Sequence, residues 1–236
     1  MIDLYYAPTP NTWKASIMLE ECALPYRTVP VDIMAGDQKQ PAFLALNPNG
    51  RIPVIVDHAA PDGPLSVFES GAILIYLAEK TGRFLPASGP GRAQVLSWLM
   101  WQMGGLGPIA GQAHHFRRYA PVGNEYATDR FVKESTRLYG VLDGHLANHE
   151  WLAGGAYSIA DIACWGWVWY HRMHGQSLDD FPAVARWFFA ISPRAAVQRA
   201  RQLGIENLSA EARDRLVGPY YGAETADRNS LIPRSS

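Results

Sequence analysis

Apolar and polar positions follow one period early in the chain and another later. Residues 2–6, Ile-Asp-Leu-Tyr-Tyr, form a short β-type run closed by Ala7-Pro8-Thr9-Pro10. Residues 12–23 place Trp13, Ile17, Met18 and Leu19 at near-helical spacing, with polar Glu20 and Glu21 towards the end, and predict a helix. Residues 26–32 predict a strand, and Pro30, which lacks an N–H for the ladder, assigns it to a sheet edge. Residues 38–46 predict a short helix that ends at Asn47-Pro48-Asn49-Gly50. Residues 51–57 and 65–68 predict two strands joined by a loop containing Pro61-Asp62-Gly63-Pro64. Apolar residues at 73, 74, 77 and 78 predict a helix from Ser70 to Lys80, packed on the sheet. The resulting order is β-α-β-α-β-β-α.

A linker rich in Pro, Gly and Ser follows, from Phe84 to Gly91. Strand signals stop there. Residues 92–118, 125–148, 159–174, 183–191 and 194–203 read as helices. Helix-only sequence after alternating sequence implies a second layer architecture. The expected fold class is α+β, with domains at 1–85 and 92–204 and a polar C-terminal tail at 205–236.

Composition narrows the functional classes. The chain has 236 residues, 48% hydrophobic and 18% charged, enough to form a packed core. A formal net charge of −1 gives no overall attraction to nucleic acid. The two cysteines, Cys22 and Cys164, form neither a disulfide framework nor a CxxC pair, so a reducing, cytoplasmic setting is expected. The N-terminal residues lack the pattern of a secretory leader, and no uninterrupted apolar run of about 18 residues occurs, so no membrane partner is expected.

Three local patterns carry chemistry. Ile52-Pro53 sits between a loop and an apolar strand, after a β-α-β-α unit. An ordinary edge proline fits that place, and so does the cis-proline of a thioredoxin-like domain, which frees the preceding backbone to pair with a peptide-like ligand. Phe68-Glu69-Ser70-Gly71 joins a strand to a helix. Ser70 there is either a helix cap or part of an anion site, with Glu69 placed to take a neighbouring ammonium. An α-amino acid terminus carries both charges, and the γ-glutamyl end of glutathione is one. Pro8-Thr9-Pro10-Asn11 occupies the turn where a thioredoxin-type redox protein would place its cysteine. Asn11 reads either as the N-cap of the first helix or, with Thr9, as a hydrogen-bond donor to a thiolate brought by a ligand.

These three patterns share one frame with Tyr157-Ser158-Ile159-Ala160-Asp161, a capping box in a helical region. Together they resemble the cytosolic glutathione transferases, over about nine tenths of the chain. APTPN with Lys14, Gln38, NPNGRIPVIVDH, FESGAILIYLAEKTG, WLMWQMGGLGPIAGQAHHF and SIADIACW resemble the bacterial Nu class in particular, relatives of a fungal nitrogen-regulating prion protein. That resemblance implies a homodimer binding two glutathione molecules, or one glutathione disulfide, per subunit. It also implies glutathione-dependent disulfide reduction, with glutathione as co-substrate and no metal. By the same resemblance Thr9 and Asn11 handle the thiol. Asn11, Gln38, Arg51, Ile52, Pro53, Glu69 and Ser70 contact glutathione, and Arg130 reaches one of its carboxylates near the dimer cleft. The other readings are conjugation of glutathione to small electrophiles and a non-enzymatic glutathione-binding regulatory module. The chain departs from the class at Thr12-Trp13, where the bulk of Trp13 is expected to reshape the thiol site.

Remaining features read as structural. Adjacent His114 and His115 point to different sides of a helix and are read as core or cleft contacts rather than joint metal ligands. Cys22 and Cys164 read as small hydrophobes. Trp98, Trp101 and Met103 read as core or dimer wall, and Gly104-Gly105-Leu106-Gly107-Pro108 as a helix kink rather than a dinucleotide loop.

Overall fold

The computed structural model describes residues 1–153 and 155–203. Strands β1 (Ile2–Tyr6), β2 (Tyr26–Pro30), β3 (Val54–Asp57) and β4 (Leu65–Phe68) form one sheet in the order β2-β1-β3-β4. β1 runs parallel to β2, with Ile2 opposite Tyr26 and Tyr6 opposite Pro30. β1 and β3 are antiparallel, as are β3 and β4. The parallel step needs a crossover, and α1 (Pro10–Glu21) supplies it. β2 lies at the sheet edge, as Pro30 requires.

Side chains alternate across the sheet. Ile2, Leu4 and Tyr6 of β1 and Ile55 of β3 enter the main core beneath α1 and α3 (Ser70–Thr81). Tyr5 and Val54 face the other way, into a small cluster with Val31 and with Phe43 of α2 (Pro41–Leu44). This is a thioredoxin-like domain. The main core continues without a break into the helical domain through Leu99, Leu106, Leu138 and Trp165. That domain contains α4 (Gly89–Trp101), α5 (Gly107–Arg118), α6 (Glu125–Leu146), α7 (Ile159–Val168), α8 (Pro182–Ile191) and α9 (Ala195–Gln202). Helices α7 and α9 pack directly on α1.

Several boundaries differ from the sequence reading. α1 starts at Pro10, because Thr9 is extended and caps it while proline suits the first helical position. Asn11 is therefore inside the helix and is not its cap. Gly89-Pro90-Gly91, read as linker, forms the first turn of α4. The 92–118 helix is two helices joined by a wide π-type turn at Gln102–Leu106, where the kink was expected. The helix read over 159–174 stops at Val168, and residues 171–174 make a separate 3₁₀ turn. The tail at 205–236 lies outside the described residues.

The expected capping box is present. Ser158 Oγ accepts from the Ala160 N–H at 3.2 Å, and Asp161 Oδ2 accepts from the Ser158 N–H at 2.9 Å. Asp161 Oδ1 also accepts from the Leu152 N–H at 3.0 Å and from Trp187 Nε1 at 2.9 Å. Burial raises the Asp161 pKa despite these donors.

Candidate functional site

Thr9 and Asn11 lie at the start of α1, Glu69 and Ser70 at the start of α3, and the two helices pack on one another. Thr9 is half-buried at the start of α1. Its Oγ1 accepts from the Thr12 N–H at 3.4 Å and lies 3.1 Å from the Thr12 hydroxyl. Asn11, the second residue of the helix, is also half-buried. Its Oδ1 accepts a hydrogen bond from Trp167 Nε1 of α7 at 3.0 Å.

Ile52-Pro53 is a cis peptide just before β3. Asn47 Nδ2 donates to the Arg51 carbonyl at 2.6 Å and shapes the loop before it. Gly50 brings the Gln38 backbone alongside: a Cβ on Gly50 would stand 3.1 Å from the Gln38 carbonyl oxygen, and Gly50 has a positive φ of 62°. Gln38 Nε2 donates to the Ile33 carbonyl at 3.2 Å, while its Oε1 is buried without a hydrogen-bond partner. Of the residues along this stretch Arg51 is exposed, Ile52 and Gln38 are half-buried, and Pro53 is buried.

Glu69 stands at the entry to α3 with φ 67° and ψ 116°, a conformation that non-glycine residues rarely adopt. Its carboxylate is exposed and accepts from Asn49 Nδ2 at 3.3 Å. Its carbonyl accepts from the Ile73 N–H at 2.9 Å, which starts the helix. Ser70 is the first helical residue, and no side chain caps this end. The cap reading of Ser70 is therefore overturned. The free N–H groups at the start of α3 and the positive end of its dipole meet the buried Ser70 hydroxyl. Such an arrangement suits a carboxylate, and the exposed Glu69 beside it suits an ammonium.

The sequence reading missed what lies beneath Ser70. Lys14 is 1% exposed, and its Nζ donates to Gln102 Oε1 at 2.7 Å and to Ser70 Oγ at 3.3 Å. Met103 Sδ is 3.5 Å from the same nitrogen. Burial pulls the Lys14 pKa down to about 7, and the negative charge of Glu69 opposes that shift. The available signal was a lysine between Trp13 and Ile17 on the apolar face of α1.

Trp13 does not alter this site. Its ring is 3% exposed, stacks on Tyr170 with centroids 5.4 Å apart, and meets Trp169 edge-on. The core absorbs its bulk, contrary to the expectation of a reshaped thiol pocket. Cys164 is fully buried and burial raises its pKa, while half-buried Cys22 lies 3.4 Å from Thr81 Oγ1 and is likewise raised by burial. Neither has thiolate character at neutral pH. Arg130 is exposed on α6 and lines a groove of about 680 Å³ with Ile109, Phe131 and Arg137. Among the described residues no hydrogen bond links it to the group around Ser70. Among the described residues no cluster of His, Cys, Asp and Glu could hold a metal ion, and no helix is long and apolar enough to cross a membrane.

Comparison with known proteins shows the family. The glutathione S-transferase N-terminal domain model matches residues 9–80, and the C-terminal domain model matches residues 108–195. The chain belongs to the glutathione S-transferase family. It is 52% identical to the disulfide-bond oxidoreductase YfcG of Escherichia coli, over 87% of this chain and 98% of that protein. A glutathione transferase family member from Pseudomonas fluorescens, crystallised with two glutathione molecules bound, superposes with a TM-score of 0.80 at 43% identity, over 85% of this chain and 92% of that one. A glutathione transferase from Pseudomonas putida, with one glutathione disulfide per subunit, gives a TM-score of 0.82 at 44% identity, over 86% and 91%.

Proposed function

We propose that this protein is a glutathione-dependent disulfide oxidoreductase that uses the thiol of bound glutathione instead of a cysteine of its own. One observation carries the reading. The cap and first turn of α1 present Thr9 and Asn11, with no cysteine, beside a helix start that offers a hydroxyl, free N–H groups and an adjacent carboxylate. The names of its relatives support it.

In this reading the γ-glutamyl carboxylate sits at Ser70 and the α3 N-terminus, and its ammonium at Glu69. The peptide backbone lies along Ile52 and the cis-Pro53, flanked by Gln38 and Arg51, and Arg130 takes a carboxylate of a second glutathione. Thr9 and Asn11 donate to the sulfur and favour the thiolate over the free thiol, whose pKa is ~8.5. The thiolate attacks one sulfur of a small disulfide. A new S–S bond forms, the old one breaks, and one substrate thiolate leaves. A second glutathione thiolate then attacks the mixed disulfide and releases the other substrate thiol with glutathione disulfide. Two glutathiones are oxidised and one disulfide is reduced. We place the chain in the Nu class, as a cytoplasmic homodimer with domains at 1–85 and 92–204 followed by a tail.

Titration calorimetry with reduced and oxidised glutathione tests the reading. Both should bind, and Ser70→Ala should weaken binding about tenfold or more, since a hydrogen bond to a charged group is lost. A disulfide should be turned over faster than a chlorinated nitroaromatic. Absence of binding heat with either form would overturn the proposal, and faster turnover of the nitroaromatic would favour conjugation.

A further inference from the structure

Asparagine presents two chemically opposite faces, an acceptor oxygen and a donor NH₂. Only the NH₂ face can stabilise a thiolate; the oxygen face repels it. Nothing within α1 selects between them. The selection comes from α7, 156 residues away, where Trp167 Nε1 lies 3.0 Å from Asn11 Oδ1. An indole N–H donates and never accepts, so the amide oxygen must face Trp167. Nδ2 then points away from α7, and among the described residues no acceptor takes its protons.

The surrounding chain is shaped to seat this indole. Gly166, the residue before it, lets α7 approach the start of α1: a Cβ there would stand 3.0 Å from the Pro10 carbonyl oxygen. On the other side, Gly107 and Gly111 of α5 form the wall. A Cβ on Gly107 would lie 3.3 Å from Trp167 Nε1, and one on Gly111 would lie 3.2 Å from the ring. The His174 ring is 5.8 Å away, tilted against the same indole. Gly107 and Gly111 thus leave room for the ring against α5, and Gly166 sets how closely α7 brings it to the start of α1.

We infer that Trp167 is a positioning residue for the thiol chemistry, locking the Asn11 amide so that its NH₂ is the face offered to the glutathione sulfur. This rests on the proposed role of Asn11. Without the indole N–H, the amide rotates between its two faces, and the thiolate loses a permanent donor.

The test compares Trp167→Phe, which keeps an aromatic ring and removes the N–H, with Asn11→Ala and the double variant. The readouts are the pH profile of kcat/KM for disulfide reduction, the thiolate ultraviolet absorbance of bound glutathione as a function of pH, and KM for glutathione. Trp167→Phe should move the pH profile and thiol titration about one pH unit to the alkaline side, with KM within about twofold of wild type. The double variant should shift no further than Asn11→Ala alone. A profile unmoved by Trp167→Phe but moved by Asn11→Ala, or additive shifts, would overturn the inference and leave the thiol site standing. A profile unmoved by Asn11→Ala would remove the thiol-site reading itself. If Trp167→Phe does not fold, the Trp167 indole proton serves instead, identified by its proximity to the α-protons of Gly107 and Gly111. Its resonance should move upfield in Asn11→Ala and stay in place in Thr9→Ala, and no movement in Asn11→Ala would overturn the inference.

Discussion

Gln102 Oε1 accepts a hydrogen bond from Lys14 Nζ at 2.7 Å, joining the first helix of the thioredoxin-like domain to the wide turn of the helical domain. The same ammonium reaches Ser70 Oγ, so the floor of the candidate carboxylate site is built by both domains. The pair is buried, which makes its effect on stability depend on pH.

Lys14 has a folded-state pKa of about 7, against 10.5 in the unfolded chain. Below about 7 both states carry the proton, and burying the charge costs its full amount. Between about 7 and 10.5 the unfolded chain binds a proton that the folded chain lacks, so stability rises with pH across that window. At ~1.4 kcal/mol per pH unit this amounts to a few kcal/mol. Lys14→Met should abolish the slope. Melting curves from pH 6 to 10 should show the variant gaining on wild type as pH falls towards 7. A constant difference in Tm across the range would contradict the depressed pKa.

Gly166→Ala places a methyl carbon 3.0 Å from the Pro10 carbonyl oxygen, a backbone atom that cannot swing aside. α7 must then retreat from α1. Overpacking of this kind costs about 1–3 kcal/mol. We expect a Tm several degrees lower together with a reduced kcat for disulfide reduction. Unchanged melting would mean that the two helices have slack at this crossing.

Asp161 accepts four hydrogen bonds, from Leu152, Trp187 and both the N–H and the hydroxyl of Ser158. Asp161→Ala leaves these buried donors without partners. A loss of about 3–5 kcal/mol is expected, seen as a fall in Tm of roughly 6–20 °C. Calorimetry on the folded fraction at low temperature should give a glutathione affinity close to wild type, because no atom of Asp161 reaches the site.

Replacing both sulfurs, as Cys22→Ser with Cys164→Ala, should leave disulfide reduction within about twofold of wild type, since neither thiol has thiolate character at neutral pH. Loss of the activity in that variant, with melting unchanged, would return the chemistry to a protein cysteine.

What the sequence disclosed follows contact range. The sheet strands, Ile52-Pro53 and the Ser158–Asp161 box were legible because each depends on residues within a few positions. The start of α1 was misplaced because Thr9 and Asn11 are both good helix caps, and only Pro10 at the first helical position decides between them. For Ser70 the local pattern left a cap and an anion site both open; the partner that decides against the cap, Lys14, comes from 56 residues away. Lys14 itself stood out as a motif letter, yet its burial depends on Gln102, 88 residues on. Trp13 was assigned to the thiol site by nearness in sequence, whereas a helix turns adjacent residues about 100° apart, and its ring enters the core.

The π-type turn at Gln102–Leu106 has one further effect. Such a turn spends an additional residue per hydrogen-bonded loop relative to an α-helix. Everything after it is offset by one step of the helical staircase, which is a rotation of about 100° and a rise of about 1.5 Å. Gly107 and Gly111 face the indole of Trp167 only with that offset in place. Deleting a single residue between 102 and 106 would keep the helix continuous yet swing the glycine wall aside and bring bulkier neighbours against the ring. The aim of an amide at the opposite end of the chain is thus set by the phase of one irregular turn.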